Sequence, residues 1–184
     1  MIGEKESERQ SDFFDTCSKC RTAYSCCNDT TPPITRERRK AIEAYLRKKK
    51  IDVVEPFALT EYTFPRLNTD MYCVFHDQKT RRCIVHPVEP ETCVAGPITF
   101  DINIKTCRIE WYAKMGKICQ LAGVVYRDRK MLEKHLKSAR KEILRLVREL
   151  DSGDLRAILK KSEPETFKIA EEDVDGTVLD KLTG

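Results

Sequence analysis

The spacing of the cysteines is the feature of this sequence that most constrains its fold. Nine cysteines occur among 184 residues, too few for a small disulfide scaffold and too many for an ordinary enzyme of a reducing compartment. Cys17 and Cys20 form a Cys-x-x-Cys motif, and a tight turn of this length lets two thiolates converge on one metal ion or one iron–sulfur cluster. Cys26 and Cys27 follow as an adjacent pair. The pattern favours a fold organised around bound metal.

The N-terminal residues indicate the compartment. The segment MIGEKESERQSDFF mixes acids and bases without an apolar run, unlike a secretory signal peptide. The most apolar later stretch, over residues 118–126, is far shorter than the roughly 18 residues typical of a membrane span. We therefore expect a cytoplasmic protein with no transmembrane segment. In that setting clustered thiols serve as metal ligands or redox centres rather than in disulfides.

Two alternatives apply to the first four cysteines. Cys17 and Cys20 have the spacing of a thioredoxin-type redox pair, but charged and polar residues flank them where that motif needs a strand and a helix. Consecutive side chains usually diverge, so we expect that the thiolates of Cys26 and Cys27 do not easily share one metal. One of them can bind a metal ion while the other packs or serves another site.

Three further cysteines recur at intervals of ten, at Cys73, Cys83 and Cys93. The strand-like runs YCVFH and RCIVH are separated by the turn-like DQKTR, which predicts a short β-hairpin. Pairing of its strands would bring Cys73 and Cys83 together. The proline-containing turn after them would return Cys93 toward both, so all three are candidate ligands.

The last two cysteines fall in different contexts. Cys119 lies between a second predicted hairpin and a long helix, a junction from which its side chain can reach back to the site, so it is also a candidate ligand. Cys107 keeps the phase of Ile109 and Trp111 on a core-facing strand, which predicts a buried structural thiol.

The three histidines are weaker candidates. His76 and His86 each follow a cysteine at Cys-x-x-His spacing, but residues three apart on a strand point to opposite faces. We expect both at the ends of the first hairpin, with metal binding as the alternative, and His135 on a helix face.

Apolar periodicity predicts an α+β fold. A helix-capping threonine and an apolar stripe predict a basic N-terminal helix over residues 36–50. Alternating apolar residues from 98 to 111 predict a second β-hairpin. Steps of four and three over residues 132–150 predict a long C-terminal amphipathic helix. The expected segments are a polar arm (1–16), a cysteine-cluster metal-binding domain (17–126), C-terminal helices (127–162) and an acidic tail (163–184).

Charge is distributed unevenly. The 34 basic and 30 acidic residues give a net charge of +4, modest for a nucleic-acid-binding protein. The basic helix has no interleaved aromatic platform, so nucleic acid is not an expected partner. The last 22 residues hold seven acids and two lysines, a net of −5 that leaves +9 on the rest. We expect a solvated, loosely held tail, with docking on the basic helix or on a partner as the alternative.

These motifs together resemble the YkgJ-type cysteine-cluster family, whose members are described as zinc- or iron-chelating. The resemblance extends over about residues 17–126. Val85 and His86 stand at its aliphatic and Tyr/His positions, whereas Glu89 stands where a basic residue is usual. The segment CVAGPITFDIN is similar to archaeal members and implies an archaeal source. The matching features are Cys17-x-x-Cys20, Cys26-Cys27, the helix start at Ile34 and Thr35, Tyr72-Cys73-Val74-Phe75, and CIVHPVEPETC ending at Cys93.

The resemblance implies the cofactor. Family relatives include the flagellin lysine methylase, which carries an iron–sulfur cluster, so a [4Fe-4S] cluster is expected, with Zn²⁺ as the alternative. Four-thiolate sites accept both metals. Seven cysteines of the family block and the junction cysteine form the expected ligand set: Cys17, Cys20, Cys26, Cys27, Cys73, Cys83, Cys93 and Cys119.

The expected function is that of an accessory or regulatory protein. The chain has no nucleotide-binding loop, no Gly-rich cofactor fingerprint and no convincing acid/base pair, so we expect neither catalytic residues nor a small-molecule substrate. Its cluster would carry electrons or sense redox state or oxygen while docked on a larger protein complex or redox enzyme. A structural zinc-binding interaction module is the alternative, and a methyltransferase related to the flagellin enzyme is a weaker one.

Overall fold

A computed structural model describes residues 26–159 and 165–184. Helices and small antiparallel sheets are mixed along the chain, so the predicted α+β class is confirmed. Cys17, Cys20 and the predicted arm over residues 1–16 lie outside the described residues. The helices are α1 (Arg36–Lys49), α2 (Glu91–Ala95), α3 (Gln120–Val125), α4 (Arg129–Glu149), α5 (Ser152–Leu159) and α6 (Gly176–Thr183). The strands are β1 (Phe57–Leu59), β2 (Thr63–Pro65), β3 (His76–Asp77), β4 (Arg82–Cys83), β5 (Ile98–Asn103), β6 (Arg108–Lys114) and β7 (Thr166–Asp173), and a 3-10 turn spans His86–Val88.

The predicted basic helix is confirmed as α1. The Thr35 hydroxyl oxygen accepts a hydrogen bond from the Arg38 backbone N–H at 3.1 Å, which satisfies one of the free donors of the first turn. Ile42 and Leu46 are buried, whereas most basic side chains of the helix are exposed. Lys50 adopts a left-handed conformation (φ 54°) and its N–H bonds the last turn.

The second predicted hairpin is confirmed as β5 and β6, which pair antiparallel in a three-stranded sheet of order β5-β6-β7. Phe100 lies opposite Trp111 and Ile102 lies opposite Ile109, as the alternation requires. The predicted long helix is α4, which packs its apolar stripe on this sheet. The main core therefore combines Trp111 and Ile109 with four buried residues of α4: Ala139, Ile143, Leu146 and Val147.

Helix α4 is amphipathic, with charged side chains on its outer face. Arg129 and Glu133, for example, form an ion pair one turn apart at 3.0 Å. Within the described ranges, no helix is both long enough and apolar enough to cross a membrane.

The prediction of a loosely held acidic tail is wrong for residues 165–184. Strand β7 pairs antiparallel with β6 along its whole length, from Lys114 opposite Thr166 to Arg108 opposite Asp173. Helix α6 follows, and its Val178 is only 1% exposed within the main core. The prediction rested on the many acids of this segment and overlooked its apolar residues, such as Val174 and Val178. The free energy gained by burying these apolar side chains exceeds the gain from leaving the segment solvated.

The acids of this segment pair with basic residues of the folded body rather than with α1. On the sheet, Asp173 contacts Arg108 at 3.2 Å. On α4, Arg140 contacts Glu172 at 3.2 Å. Because these pairs are partly exposed, they contribute less to stability than the apolar contacts beneath them.

The first predicted hairpin is confirmed in place but is shorter than expected. Strands β3 and β4 have two residues each, with His76 opposite Cys83. Phe75 and Val85 flank the strands and are fully buried against Ile42 of α1 in a second small core. The basic helix thus packs directly on the cysteine-bearing loops.

The prediction that Cys107 is buried is wrong. The turn between β5 and β6 extends through residue 107, so the strand begins at Arg108 and Cys107 does not take part in its alternation. Cys107 has a positive φ of 56° and an exposed side chain, and its sulfur donates only to the Ile104 carbonyl at 3.7 Å. It is a surface thiol of the hairpin turn.

His135 connects α4 to α2. Its Nε2–H faces the backbone carbonyls of Ala95 at 3.1 Å and Gly96 at 2.9 Å, and therefore donates to both. These carbonyls lie at the C-terminal end of α2, where helices leave acceptors without partners. Burial lowers the pKa of His135 below its ordinary value of 6.5.

Replacing Val178 with alanine should lower the free energy of unfolding by about 2 kcal/mol, because two buried methyl groups are lost from the main core. Val54→Ala is the matched control, since Val54 is 80% exposed and should change stability by less than about 0.5 kcal/mol. Urea unfolding of both variants measures the difference. Equal stability of the two variants would mean that residues 165–184 are held as loosely as a solvated tail.

Lowering the pH from about 7.5 to 5.5 should reduce stability partly through His135. Its folded pKa lies below the unfolded value of 6.5, so its contribution is fully present above the unfolded pKa and is lost as pH falls through the folded pKa. His135→Gln keeps a hydrogen-bond donor but cannot titrate, so this variant should lose less stability over the same range. Urea midpoints at several pH values test this, and parallel losses in both proteins would contradict it.

Candidate metal centre

Six of the eight predicted ligands lie within the described residues, and the fold gathers them from separate segments. Cys26 lies near all the others. The charge of its thiolate raises the pKa of four of them, and its sulfur is hydrogen-bonded to the fifth. These five thiols are those of Cys27, Cys73, Cys83, Cys93 and Cys119. Cys107 is not among the groups that shift the pKa of these six thiols.

Backbone hydrogen bonds place the first pair beside Cys73. The Cys73 N–H donates to the Cys27 carbonyl at 2.8 Å, and the Asp29 N–H donates to the Met71 carbonyl at 2.7 Å. An isolated antiparallel bridge joins Asn28 and Tyr72 between them. Two chain segments more than 40 residues apart in sequence therefore run side by side where their cysteines occur.

The short hairpin and α2 position the next two thiols. The His76 N–H donates to the Cys73 carbonyl at 2.8 Å, and His76 is the partner of Cys83 across the hairpin. The expected proximity of Cys73 and Cys83 agrees with the charge of one acting on the other. Cys93 lies in the first turn of α2, where its N–H donates to the Pro90 carbonyl at 2.9 Å. Cys119 approaches from the other side as the N-cap residue of α3.

A hydrogen bond joins the side chains of Cys26 and Cys27. The Cys27 thiol donates to the Cys26 sulfur, which lowers the pKa of Cys26 to about 7 despite its surroundings. The same hydrogen bond is the main reason that the pKa of Cys27 is raised. Cys26 is therefore the thiol of this cluster that most readily becomes a thiolate at neutral pH.

The other four thiols are held in their protonated form when no cation is near. Burial is the main cause of the raised pKa of each: Cys73, Cys83, Cys93 and Cys119. Water reaches the Cys93 side chain, but the surrounding protein desolvates its sulfur. A metal cation would reverse this penalty by supplying the positive charge that buried thiolates lack.

Charged side chains of both signs border the thiols. Glu89 raises the pKa of Cys83 and Cys93, and its Oε2 lies 3.0 Å from His86 Nδ1. That hydrogen bond raises the pKa of His86 and holds the imidazole on the carboxylate. On the other side, the positive charge of Lys114 lowers the pKa of Cys26 and of Cys119, against the larger effect of burial at Cys119.

The chemistry of the donors fits a thiophilic metal, because the six described candidate ligands are all cysteines and two of the three histidines bind protein groups. His76, the third, stacks on Tyr72 with ring centroids 4.9 Å apart. Within residues 26–159 and 165–184, no three His, Cys, Asp or Glu side chains are arranged to hold a metal ion by themselves. The described thiols thus supply part of a metal centre and do not form a complete ligand set by themselves.

Sequence reasoning missed the residue that anchors α2. Glu91 is fully buried and its Oε1 accepts a hydrogen bond from the Thr35 hydroxyl at 2.7 Å. Arg145 Nη2 of α4 lies 3.3 Å from the same oxygen, and Arg38 Nε of α1 lies 3.6 Å from it. Glu142 completes the network by contacting both arginines. The only sequence signal was an acid at the start of a short apolar segment between two candidate ligands.

A scan against family models matches residues 16–134 to a model named CxxCxxCC, described as "Putative zinc- or iron-chelating domain". The chain belongs to this family. The CxxCxxCC match includes all eight predicted ligand positions and supports metal binding, with zinc and iron equally covered by the description. A comparison with curated proteins found no match, and a comparison with solved structures found none either.

The chain differs from the spacing in the CxxCxxCC name at one point. Five residues, RTAYS, separate Cys20 from Cys26, where the name has two. The adjacent pair is retained, and it is this pair that the structure places beside Cys73.

Replacing Glu91 with glutamine should lower the free energy of unfolding by about 3 kcal/mol, because two arginines lose the buried charge that they face. Glu43→Gln is the control, since Glu43 forms a surface pair with Arg39 that should contribute less than about 1 kcal/mol. Urea unfolding of the two variants, prepared with metal in the same way, measures the free energy of unfolding of each. A loss at Glu91 no larger than that at Glu43 would contradict an anchoring role.

Proposed function

We propose that this protein binds a [4Fe-4S] cluster and acts as an accessory or regulatory protein that transfers electrons or responds to redox state or oxygen. The observation that supports this most directly is the convergence of six thiols from separate segments of the fold. The ligands are drawn from Cys17, Cys20, Cys26, Cys27, Cys73, Cys83, Cys93 and Cys119.

A thiol-only donor set favours the iron–sulfur assignment over a mononuclear zinc site. Structural zinc commonly takes imidazole together with thiolate, yet His86 and His135 are engaged by a carboxylate and by backbone carbonyls. A [4Fe-4S] cluster requires cysteine thiolates and supplies one-electron redox chemistry when bound.

An accessory role is favoured by how the centre is exposed. Cys26 and Cys93 are reached by solvent, whereas Cys73, Cys83 and Cys119 are half-buried. An oxidant or an electron-transfer partner would therefore meet the centre from its Cys26 and Cys93 side. Helix α1 packs on the same cysteine-bearing loops through the buried Ile42. Its opposite, basic face is exposed and would offer a partner complex a charged surface connected to the centre.

Anaerobic purification should give protein with bound iron and acid-labile sulfide, a broad visible absorption and an EPR signal after reduction or oxidation. Exposure to air should bleach the absorption. The measurements are metal and sulfide analysis with both spectra, before and after air. Colourless protein with stoichiometric zinc, no sulfide and unchanged behaviour in air would overturn the proposal in favour of a structural zinc module.

Cysteine variants locate the centre in the same assay. Cys93→Ser should remove most of the bound iron, because Cys93 faces the other thiols from α2. Cys107→Ser is the matched control and should retain wild-type iron, since Cys107 is exposed in a turn and hydrogen-bonds only to the Ile104 carbonyl. Equal iron content in the two variants would contradict the placement of the ligands.

A further inference from the structure

The hydroxyl of Tyr126 is a buried polar group with no hydrogen-bond partner. Buried hydroxyls almost always have a partner, because leaving one unpaired forfeits its hydrogen bonds to water. In the described part of the chain, seven buried side-chain atoms lack a hydrogen-bond partner. Among their side chains, only Tyr126 has a pKa that is raised by the charge of a candidate metal ligand. That ligand is Cys119.

Helix α3 joins Cys119 and Tyr126. Cys119 is the N-cap of this helix and Tyr126 is its C-cap, seven residues or about two turns later. Side chains of a helix tilt toward its N-terminus, which is the end where Cys119 lies. Burial raises the pKa of the Tyr126 hydroxyl, and the charge of Cys119 acts on it and raises it further.

A contact from the C-terminal strand fixes the ring. Phe167 of β7 packs edge-to-face on Tyr126, with ring centroids 5.7 Å apart and an interplanar angle of 72°. Phe167 is itself held by its pairing with Ala113 of β6. An aromatic pair of this geometry restricts the ring, so the orientation of the hydroxyl is set by the sheet.

We propose that Tyr126 is a positioning residue of the metal centre, whose hydroxyl donates a hydrogen bond to the Cys119 sulfur when that sulfur binds metal. This inference rests on the proposed function. A metal-bound thiolate is a stronger hydrogen-bond acceptor than a protonated thiol, so ligation would supply the partner that the hydroxyl lacks. The tyrosine would then both orient Cys119 and withdraw electron density from its sulfur.

Such a hydrogen bond should affect the reduction potential of a bound cluster. Donors to cluster sulfurs stabilise the more negatively charged reduced state and raise the potential. Tyr126→Phe removes only the hydroxyl and keeps the ring contact with Phe167. The variant should therefore bind as much iron as wild type but have a more negative reduction potential.

Tyr112→Phe is the matched control. The Tyr112 hydroxyl donates to Glu110 on the sheet, and Tyr112 is not among the groups that shift the pKa of the six thiols. Spectroelectrochemical titration of the three anaerobic proteins should show the negative shift for Tyr126→Phe and none for Tyr112→Phe. Equal potentials at equal iron content would overturn the role of Tyr126 and leave the proposed function standing.

A different outcome is expected if the proposed iron–sulfur function is wrong. If the wild-type protein contains zinc and no iron, the role of Tyr126 is tested by replacing zinc with Co²⁺. The sulfur-to-cobalt charge-transfer band should then move in Tyr126→Phe and stay in place in Tyr112→Phe. An unmoved band, or a wild-type protein that binds neither iron nor zinc, would overturn the inference.

Discussion

A single buried carboxylate connects the cysteine-bearing loops to the helical part of the fold. Glu91 is the only charged side chain that is buried among the described residues, and Arg38 of α1 and Arg145 of α4 approach it from two sides. Helix α2 has only five residues, too few to be stable through its own hydrogen bonds. Its position, and with it that of Cys93, depends on this ionic contact and on the His135 hydrogen bonds at its other end.

This arrangement explains why α1 and α4 belong to the same structural unit as the thiols. Removing a carboxylate from water is unfavourable unless charged partners and hydrogen bonds compensate for the loss. Glu91 obtains them from Thr35 and the two arginines only when α1, α2 and α4 are all in place. The Cys93 helix and the main core are therefore expected to form cooperatively.

The sequence was sufficient for elements whose signal is local. Periodicity predicted α1, α4 and the β5–β6 hairpin, because one face of each is buried over several turns or residues. Cys107 was misplaced because the turn extends through it and the strand begins only at Arg108, although Ile109 and Trp111 keep the predicted phase. The roles of Glu91 and Tyr126 could not be predicted, since Arg145 is 54 residues from Glu91 and Phe167 reaches Tyr126 from another element. The convergence of Cys119 with Cys26 likewise depends on tertiary packing alone.

The candidate thiols differ in their exposure to solvent, so the centre has an outer and an inner side. Cys26 and Cys93 are exposed, whereas Cys73, Cys83 and Cys119 are half-buried. Competing chelators and small thiols would therefore reach the outer ligands first, and the inner ones would hold the metal until last. Loading would follow the reverse order, with the inner thiols capturing an incoming ion and the outer pair closing over it. Exchange of the metal at the outer thiols would then require no opening of the core.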